Sequence, residues 1–290
     1  MNMPDIWGQA AILAKFLLYI GALGATGLVI VRIVFAGPTA LVAERMRKQA
    51  LGLAALTLVA AGLGFMLRGA ALTGGADGMT DPEMLGLLWQ TPVGDVLLYR
   101  LIGAILMIAG LLIPRSGQWI ALVGGLLILW SFAQIGHVRD IAQTGARLLL
   151  LLHLVGVAFW IGVLSPLHRL SQRPDHLSHA ARLGHLFGQA ATFIVPSLIL
   201  AGLLMGWLLL GTPTALITTG YGLALITKIA LVAGVLVLAA ANKLRFVPEM
   251  QAGNTDAASH LAQSIEIETT VILAVFATTA TLTSVLTLPN

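Results

Sequence analysis

The sequence predicts an all-α integral membrane protein with eight transmembrane helices. Of its 290 residues, 58% are apolar and only 10% are charged, whereas roughly 25% are charged in an ordinary soluble domain. Mean hydropathy is +0.94, which excludes a water-soluble globule. The net charge of +4 is too small for a nucleic-acid surface. Because the sequence contains no cysteine, it also excludes disulfides and thiolate metal sites.

The expected spans follow from the length of the apolar runs. A bilayer core about 30 Å thick needs roughly 20 apolar helical residues. These runs are far longer than the roughly ten residues of a membrane β-strand, so a barrel is excluded. The eight spans are expected at 10–35, 50–72, 94–113, 118–137, 146–166, 187–211, 219–241 and 264–286.

Basic residues predict how the spans are oriented. Cytoplasmic loops of membrane proteins carry an excess of arginine and lysine. Such residues follow the odd-numbered spans: Arg32, Arg45, Arg47, Lys48, Arg115, Arg169, Arg173, Arg182, Lys243 and Arg245. The opposite side has fewer: Arg68, Arg100, Arg139 and Arg147. Both termini are therefore expected on the periplasmic side of a bacterial inner membrane.

The two halves of the chain share a pattern that predicts an internal repeat. Four spans separate the matching segments, so residues 1–140 and 141–290 are expected to form two parallel four-helix halves. The alternative is a chance alignment, since glycine and alanine are common where membrane helices meet. The matching residues are Thr91, Gly94 and Arg100 with Thr219, Gly222 and Lys228, and Gly21 and Gly27 with Gly156 and Gly162.

Two histidines are the first candidates for metal binding, because polar groups inside a membrane are costly and often functional. His137 ends the fourth span and His153 lies about seven residues into the fifth, so adjacent antiparallel helices can bring them together. Two imidazoles suit copper, zinc or haem iron. Trp160 lies on the same helix face as His153, one to two turns deeper. The alternative is one interfacial histidine and one that donates a hydrogen bond in the core.

Methionine gives a second indication, since thioethers favour Cu(I). Met66 and Met205 lie in the outer halves of the second and sixth spans and are candidate ligands. Methionine is also an ordinary gap-filler in cores. An outer loop suits either metal capture or simple solvation: Asp77, Met79, Asp81 and Met84. Histidines on the inner side suit either a metal exit site or a hydrated loop: His168, His176, His179 and His185.

Other polar residues in the spans are candidates for a pathway or for support of the ligands. Arg100 and Lys228 lie in the outer halves of their helices, where they flank the histidines or pair with haem propionates. Glu268 lies near Asn242 and Lys243 at the inner side, where a structural ion pair is expected.

The motifs together resemble the copper-resistance protein D (CopD) family of inner-membrane proteins. The segment Ser131-Phe-Ala-Gln-Ile-Gly136-His137 is similar to the family's Gly-His motif. Leu152-His153, continued by Phe159-Trp160-Ile161-Gly162-Val163-Leu164, is similar to its Leu-His…Trp-x-Gly-x-Leu motif. The resemblance continues through Thr91 to Arg100, Tyr221-Gly222…Lys228, Asn242, Glu268 and Leu282-Thr283. Lys15 and Tyr19 depart from the pattern, since an arginine and a histidine are frequent there.

The resemblance implies eight spans, copper as Cu(I) or Cu(II), and a separate periplasmic CopC-like copper-binding partner. The resulting prediction is copper import from periplasm to cytoplasm through a His/Met site between the halves, in a protein that is not an enzyme. The alternative is a b-type membrane cytochrome with His137 and His153 as axial haem ligands. A third possibility is a sensor or assembly factor that uses copper as a signal.

Overall fold

Helices make up 90% of the residues that the structure describes, and these residues contain no strand. The computed structural model describes residues 5–114, 116–135, 144–210, 212 and 214–284. The helices are α1 Ile6–Val34, α2 Ala43–Thr73, α3 Pro82–Trp89, α4 Pro92–Leu112, α5 Gly117–Ser131, α6 Thr144–Ser171, α7 Leu177–Leu210, α8 Ala215–Thr218, α9 Gly220–Ala241, α10 Val247–Gln251 and α11 Thr255–Ser284. A π-helical turn, Asn242–Phe246, joins α9 to α10.

Seven of the helices described are long and apolar enough to cross a membrane: α1, α2, α4, α6, α7, α9 and α11. The prediction of a helical membrane protein is therefore confirmed. The fourth predicted span begins as α5, which has 15 residues. At 1.5 Å per residue this helix is about 22 Å long, shorter than a bilayer core of about 30 Å. An eighth span at this place stays a prediction.

The bundle has two ends that differ in charge. At one end lie the loops that follow α1, α4, α6 and α9, with most of the arginine and lysine; we call it the basic end. At the other end lie the acidic loop between α2 and α4 and the loop between α7 and α9; we call it the acidic-loop end. Under the orientation predicted from loop charge, the basic end faces the cytoplasm.

The repeated Thr-x-x-Gly motif has the same local structure in both halves. Thr91 caps α4 by accepting from the backbone N–H two residues on at 3.2 Å, and Thr219 caps α9 by accepting from the N–H of Gly222 at 3.0 Å. Each threonine also donates to a carbonyl of the preceding short helix, at 2.7 Å in both cases. Gly94 and Gly222 lie so close to that helix that a Cβ would overlap its backbone. The motif thus joins a short helix tightly to the span that follows.

Helix α1 is the most buried of the long helices, and it packs against α2, α5, α6 and α11. It crosses α6 with backbone against backbone. A Cβ on Gly27 would overlap the carbonyl of Ala158 in α6, and a Cβ on Gly162 would overlap the backbone of Gly27. Glycine at both positions therefore permits this close approach.

The crossing of α1 and α6 supports the predicted repeat. Gly27 and Gly162 are equivalent in the two halves and contact each other, as they would beside a two-fold axis. The contact of α1 with α11 has its counterpart in the contact of α6 with α5. These pairings support the duplication, which stays a prediction.

Candidate metal site

His153 is the candidate ligand that the structure describes most fully. It lies in α6, nine residues after the helix begins, and faces α7: its Cε1 is 3.9 Å from the Cβ position of Gly202. Its polar neighbours are the backbone of Leu198 and the side chain of Lys228. Its Nδ1 is buried and has no hydrogen-bond partner in the described part of the chain. This ring nitrogen is therefore available.

The predicted partner, His137, lies outside the described residues. The pairing of His137 with His153 is therefore a prediction that the structure leaves open. Among the residues that are described, no group of three or more His, Asp or Glu side chains is arranged to hold a metal ion.

The two methionine candidates lie on different sides of the bundle. Met205 follows Gly202 by three residues on α7, and residues three apart share a helix face. Met205 is thus on the side of α7 that faces His153. Met66 lies on α2, which packs against α1 and α4, and α7 packs against α6 and α10. A site holding His153 and Met205 can form within the C-terminal half without Met66.

Residues of the acidic loop have structural roles. The side chain of Asp81 caps α3 by accepting from the N–H of Glu83 at 3.0 Å. The backbone carbonyl of Asp77 accepts from the N–H groups of Thr80 and Asp81, both at 3.0 Å. Met79 and Met84 are half-buried beside these turns. Metal capture by this loop stays a prediction.

Arg100 is held by the N-terminal half, away from the face of α7 that meets His153. Its Nε donates to Ser131 Oγ at 3.1 Å, and its guanidinium lies over the Phe132 ring at 5.0 Å. Phe132 in turn stacks on Tyr19 with a centroid distance of 5.2 Å. Lys15 donates from Nζ to the carbonyl of Thr283 at 2.7 Å, so it ties α1 to α11. Arg100 and Lys228 are the two cations predicted to flank the histidines. Of these two, Lys228 is the neighbour of His153.

Glu268 does not form the expected ion pair, and that prediction is wrong. Lys243 donates to Thr192 Oγ1 at 2.6 Å instead, because the π-helical turn directs its side chain towards α7. Glu268 accepts from Trp160 Nε1 at 2.5 Å through Oε1 and from Asn242 Nδ2 at 3.1 Å through Oε2. Sequence reasoning missed this bond, although a buried indole N–H needs an acceptor and points to such a partner.

The histidines at the basic end are bonded separately. His168 Nε2 lies 2.9 Å from Glu266 Oε1, and His176 Nε2 lies 3.3 Å from Asp175 Oδ2. His185 contacts Gln189 at 3.1 Å, one turn away on the same helix. These contacts fit hydrated loop and helix-end positions.

The fold and the polar groups inside its spans define a multi-pass helical membrane protein. Comparison with protein families gives two matches. The family model of copper resistance protein D matches residues 181–282, and that of the copper resistance protein D-like N-terminal domain matches residues 3–146. The chain therefore belongs to the copper resistance protein D family, and the resemblance inferred from its motifs is confirmed.

The family models leave one stretch of the chain between them unmatched. No curated protein and no solved structure gives a match. Residues 147–180, which include His153 and Trp160, lie between the two matched regions. The roles of these two residues therefore depend on the structure and on the chemistry of their side chains.

Proposed function

We propose that the protein imports copper from the periplasm to the cytoplasm across the bacterial inner membrane. Membership of the copper resistance protein D family supports copper as the substrate. His153 is the entry ligand, together with His137, and Met205 supplies a thioether on the facing helix. Met66 remains a second thioether candidate on the N-terminal half.

One observation carries the assignment of His153. A buried polar atom without a hydrogen bond is costly, and more so inside a membrane. Nδ1 of His153 is such an atom within the described residues. A neutral imidazole nitrogen without a hydrogen bond has a lone pair that can bind a metal ion. The free nitrogen of His153 therefore suits copper.

The donor set also favours one oxidation state. A site of histidine alone suits Cu(II) or zinc, whereas a thioether shifts the preference towards Cu(I) because sulfur is the softer donor. Met205 lies on the face of α7 that meets His153, which supports Cu(I) as the transported form. Lys228 opposes this binding by charge repulsion. The proposal therefore requires that the charge of Lys228 is removed by desolvation or compensated by a counter-charge.

The remaining parts of the proposal concern topology and partner. The distribution of arginine and lysine supports periplasmic termini and a cytoplasmic basic end. The acidic-loop end then faces the periplasm, where a CopC-like copper-binding protein would deliver copper. The halves 1–140 and 141–290 form the two parallel repeats.

The test is copper binding and copper uptake in histidine variants. His153→Ala and His137→Ala are each expected to weaken copper affinity at least tenfold, about 1.4 kcal/mol, in a competition assay with a chelator. His260→Ala is the matched control, because this histidine is exposed, lies at the basic end and is not a candidate ligand. Unchanged affinity in the His137→Ala/His153→Ala double variant would reject the site. An absorption spectrum with a Soret band would instead support the cytochrome alternative.

A further inference from the structure

Glu268 is a buried carboxylate in a membrane span, and the proposed copper site does not use it. Its side chain is only 2% exposed. Both oxygens accept hydrogen bonds from neutral donors, the indole of Trp160 and the amide of Asn242. Three separate segments, α6, the π-helical turn and α11, thus converge on one carboxyl group.

No cation compensates Glu268 within the described residues. None of the ion pairs there includes it, and no charged side chain acts on it electrostatically. The charged groups on the elements packed against α11 do not pair with Glu268 in the described part of the chain. Arg147 lies in the first turn of α6, and Arg169, near the other end of that helix, bonds Ser165 and Gln49. Lys15 of α1 bonds the Thr283 carbonyl, Arg32 lies in the last turn of α1, His153 of α6 and Lys228 of α9 are neighbours, His168 of α6 pairs with Glu266, Lys243 bonds Thr192, and Arg245 pairs with Glu249 of α10.

The same cluster contains unused hydrogen-bonding capacity. Asn242 Oδ1 and Ser264 Oγ are both buried and have no partner among the residues described. Ser264 precedes Glu268 by four residues, so it lies one turn nearer the basic end on the same face of α11. A protonated carboxyl group needs one acceptor for its O–H. Asn242 Oδ1 and Ser264 Oγ both have that acceptor capacity.

Ser264 is a buried polar residue of α11 on the side of Glu268 towards the basic end. Its neighbour Gln263 and the exposed Glu266 line an open groove of about 690 Å³ at the basic end. Glu266 faces this groove, and Glu268, two residues further along the helix, faces the interior. Ser264 is the buried hydroxyl of α11 nearest to both.

We infer that Glu268 is a proton-binding site inside the membrane and that its proton exchange accompanies copper transport. This inference rests on the proposed function, and it adds the coupling ion. An ionised carboxylate without a counter-charge is expensive in a medium of low dielectric, so the group binds a proton. The only bond made and broken is the carboxyl O–H: the proton comes from water on one side of the membrane and leaves to water on the other.

Helix α6 links the two sites. Trp160 and His153 are seven residues apart and share a face of this helix, and Trp160 donates its indole N–H to the carboxyl group of Glu268. Proton binding at Glu268 changes what the indole contacts. The change acts on the helix that carries the proposed copper ligand.

The first arm of the test is infrared pH titration of the purified, copper-free full-length protein. We expect a titrating carboxylic acid carbonyl band in the wild type, its loss in Glu268→Gln, and its retention in Glu268→Asp. Glu266→Gln is the matched control and keeps the band. Glu268→Gln is expected to fold, because rotating the Asn242 amide turns its unpartnered Oδ1 towards the new NH₂ group. A wild type without the band, or a band that survives in Glu268→Gln, overturns the inference.

The second arm measures copper uptake in proteoliposomes that contain a pH-sensitive dye. We expect copper uptake with proton movement in the wild type and in Glu266→Gln. In Glu268→Gln, we expect the proton signal to fall to that of protein-free liposomes. Copper uptake without proton movement in the wild type overturns the coupling and leaves copper transport standing. A wild type that moves no copper overturns the proposed function, and the infrared arm then decides separately whether Glu268 binds a proton.

Discussion

The crossing of α1 and α6 is the contact that a single added methyl group should disturb most. A Cβ built on Gly27 overlaps the carbonyl oxygen of Ala158 and lies 2.9 Å from the backbone N of Gly162. Ordinary contacts of a Cβ are 3.4–4 Å. Backbone atoms cannot move aside by a rotamer change, so Gly27→Ala must push the two helices apart.

The change in the free energy of unfolding for Gly27→Ala depends on two opposing contributions. Overpacking in a well-packed core typically costs about 1–3 kcal/mol. Alanine also gains about 1 kcal/mol of helix propensity over glycine, which offsets part of that cost. Gly52→Ala in α2 isolates the steric part, because a Cβ there meets nothing within 4 Å and brings the propensity gain alone. We expect the two variants to differ by about 1–3 kcal/mol in the free energy of unfolding.

Unfolding in a titration with SDS, followed by tryptophan fluorescence, measures this difference. Gly162→Ala tests the other side of the same contact, and the double variant should cost less than the sum because the helices separate once. Equal unfolding free energies for Gly27→Ala and Gly52→Ala would refute the close backbone crossing.

Two further predictions concern the site and its surroundings. Replacing Met66 and Met205 together by leucine should cost less than about 1.5 kcal/mol of stability but lower Cu(I) affinity in a chelator competition assay. Wild-type Cu(I) affinity would leave these methionines as packing residues only. Ser131→Ala should destabilise the protein by about 1–3 kcal/mol, because it removes the acceptor that holds Arg100 Nε at 3.1 Å. Ser197→Ala, at an exposed hydroxyl bonded within its own helix, is the control for SDS unfolding, and equal stability of the two variants would contradict the role of Ser131.

Much of the fold could be predicted because hydropathy and capping act locally. Long apolar runs identified every long helix, and Thr91 and Thr219 marked the starts of α4 and α9. The short helices before those starts were missed, because α3 and α8 are too short to show a periodic pattern. The length of α5 was also overestimated, since its apolar run continues beyond the residues that form the helix.

The candidate site could be predicted less well, because a residue's partners depend on how helices are rotated against each other. His153 and Trp160 were recognised as polar or amphipathic groups in a span, and their shared face followed from their spacing. The partner of Glu268 was predicted wrongly: Lys243 lies next to Asn242 in the sequence, yet the π-helical turn sends its side chain to Thr192. A single extra residue in a helical turn rotates every following side chain, and local sequence does not report it.

The sequence by itself determined that this chain is a helical membrane protein of the copper resistance protein D family, because apolar length and ordered motifs are properties of the chain alone. Only the tertiary structure decided which polar groups meet inside the bundle. It placed the ring of His153 against α7, separated Met205 from Met66, and paired Glu268 with Trp160 and Asn242. The physical reason is that burial in a membrane makes each polar group seek a partner, while the packing angle and rotation of the helices determine which partner it reaches.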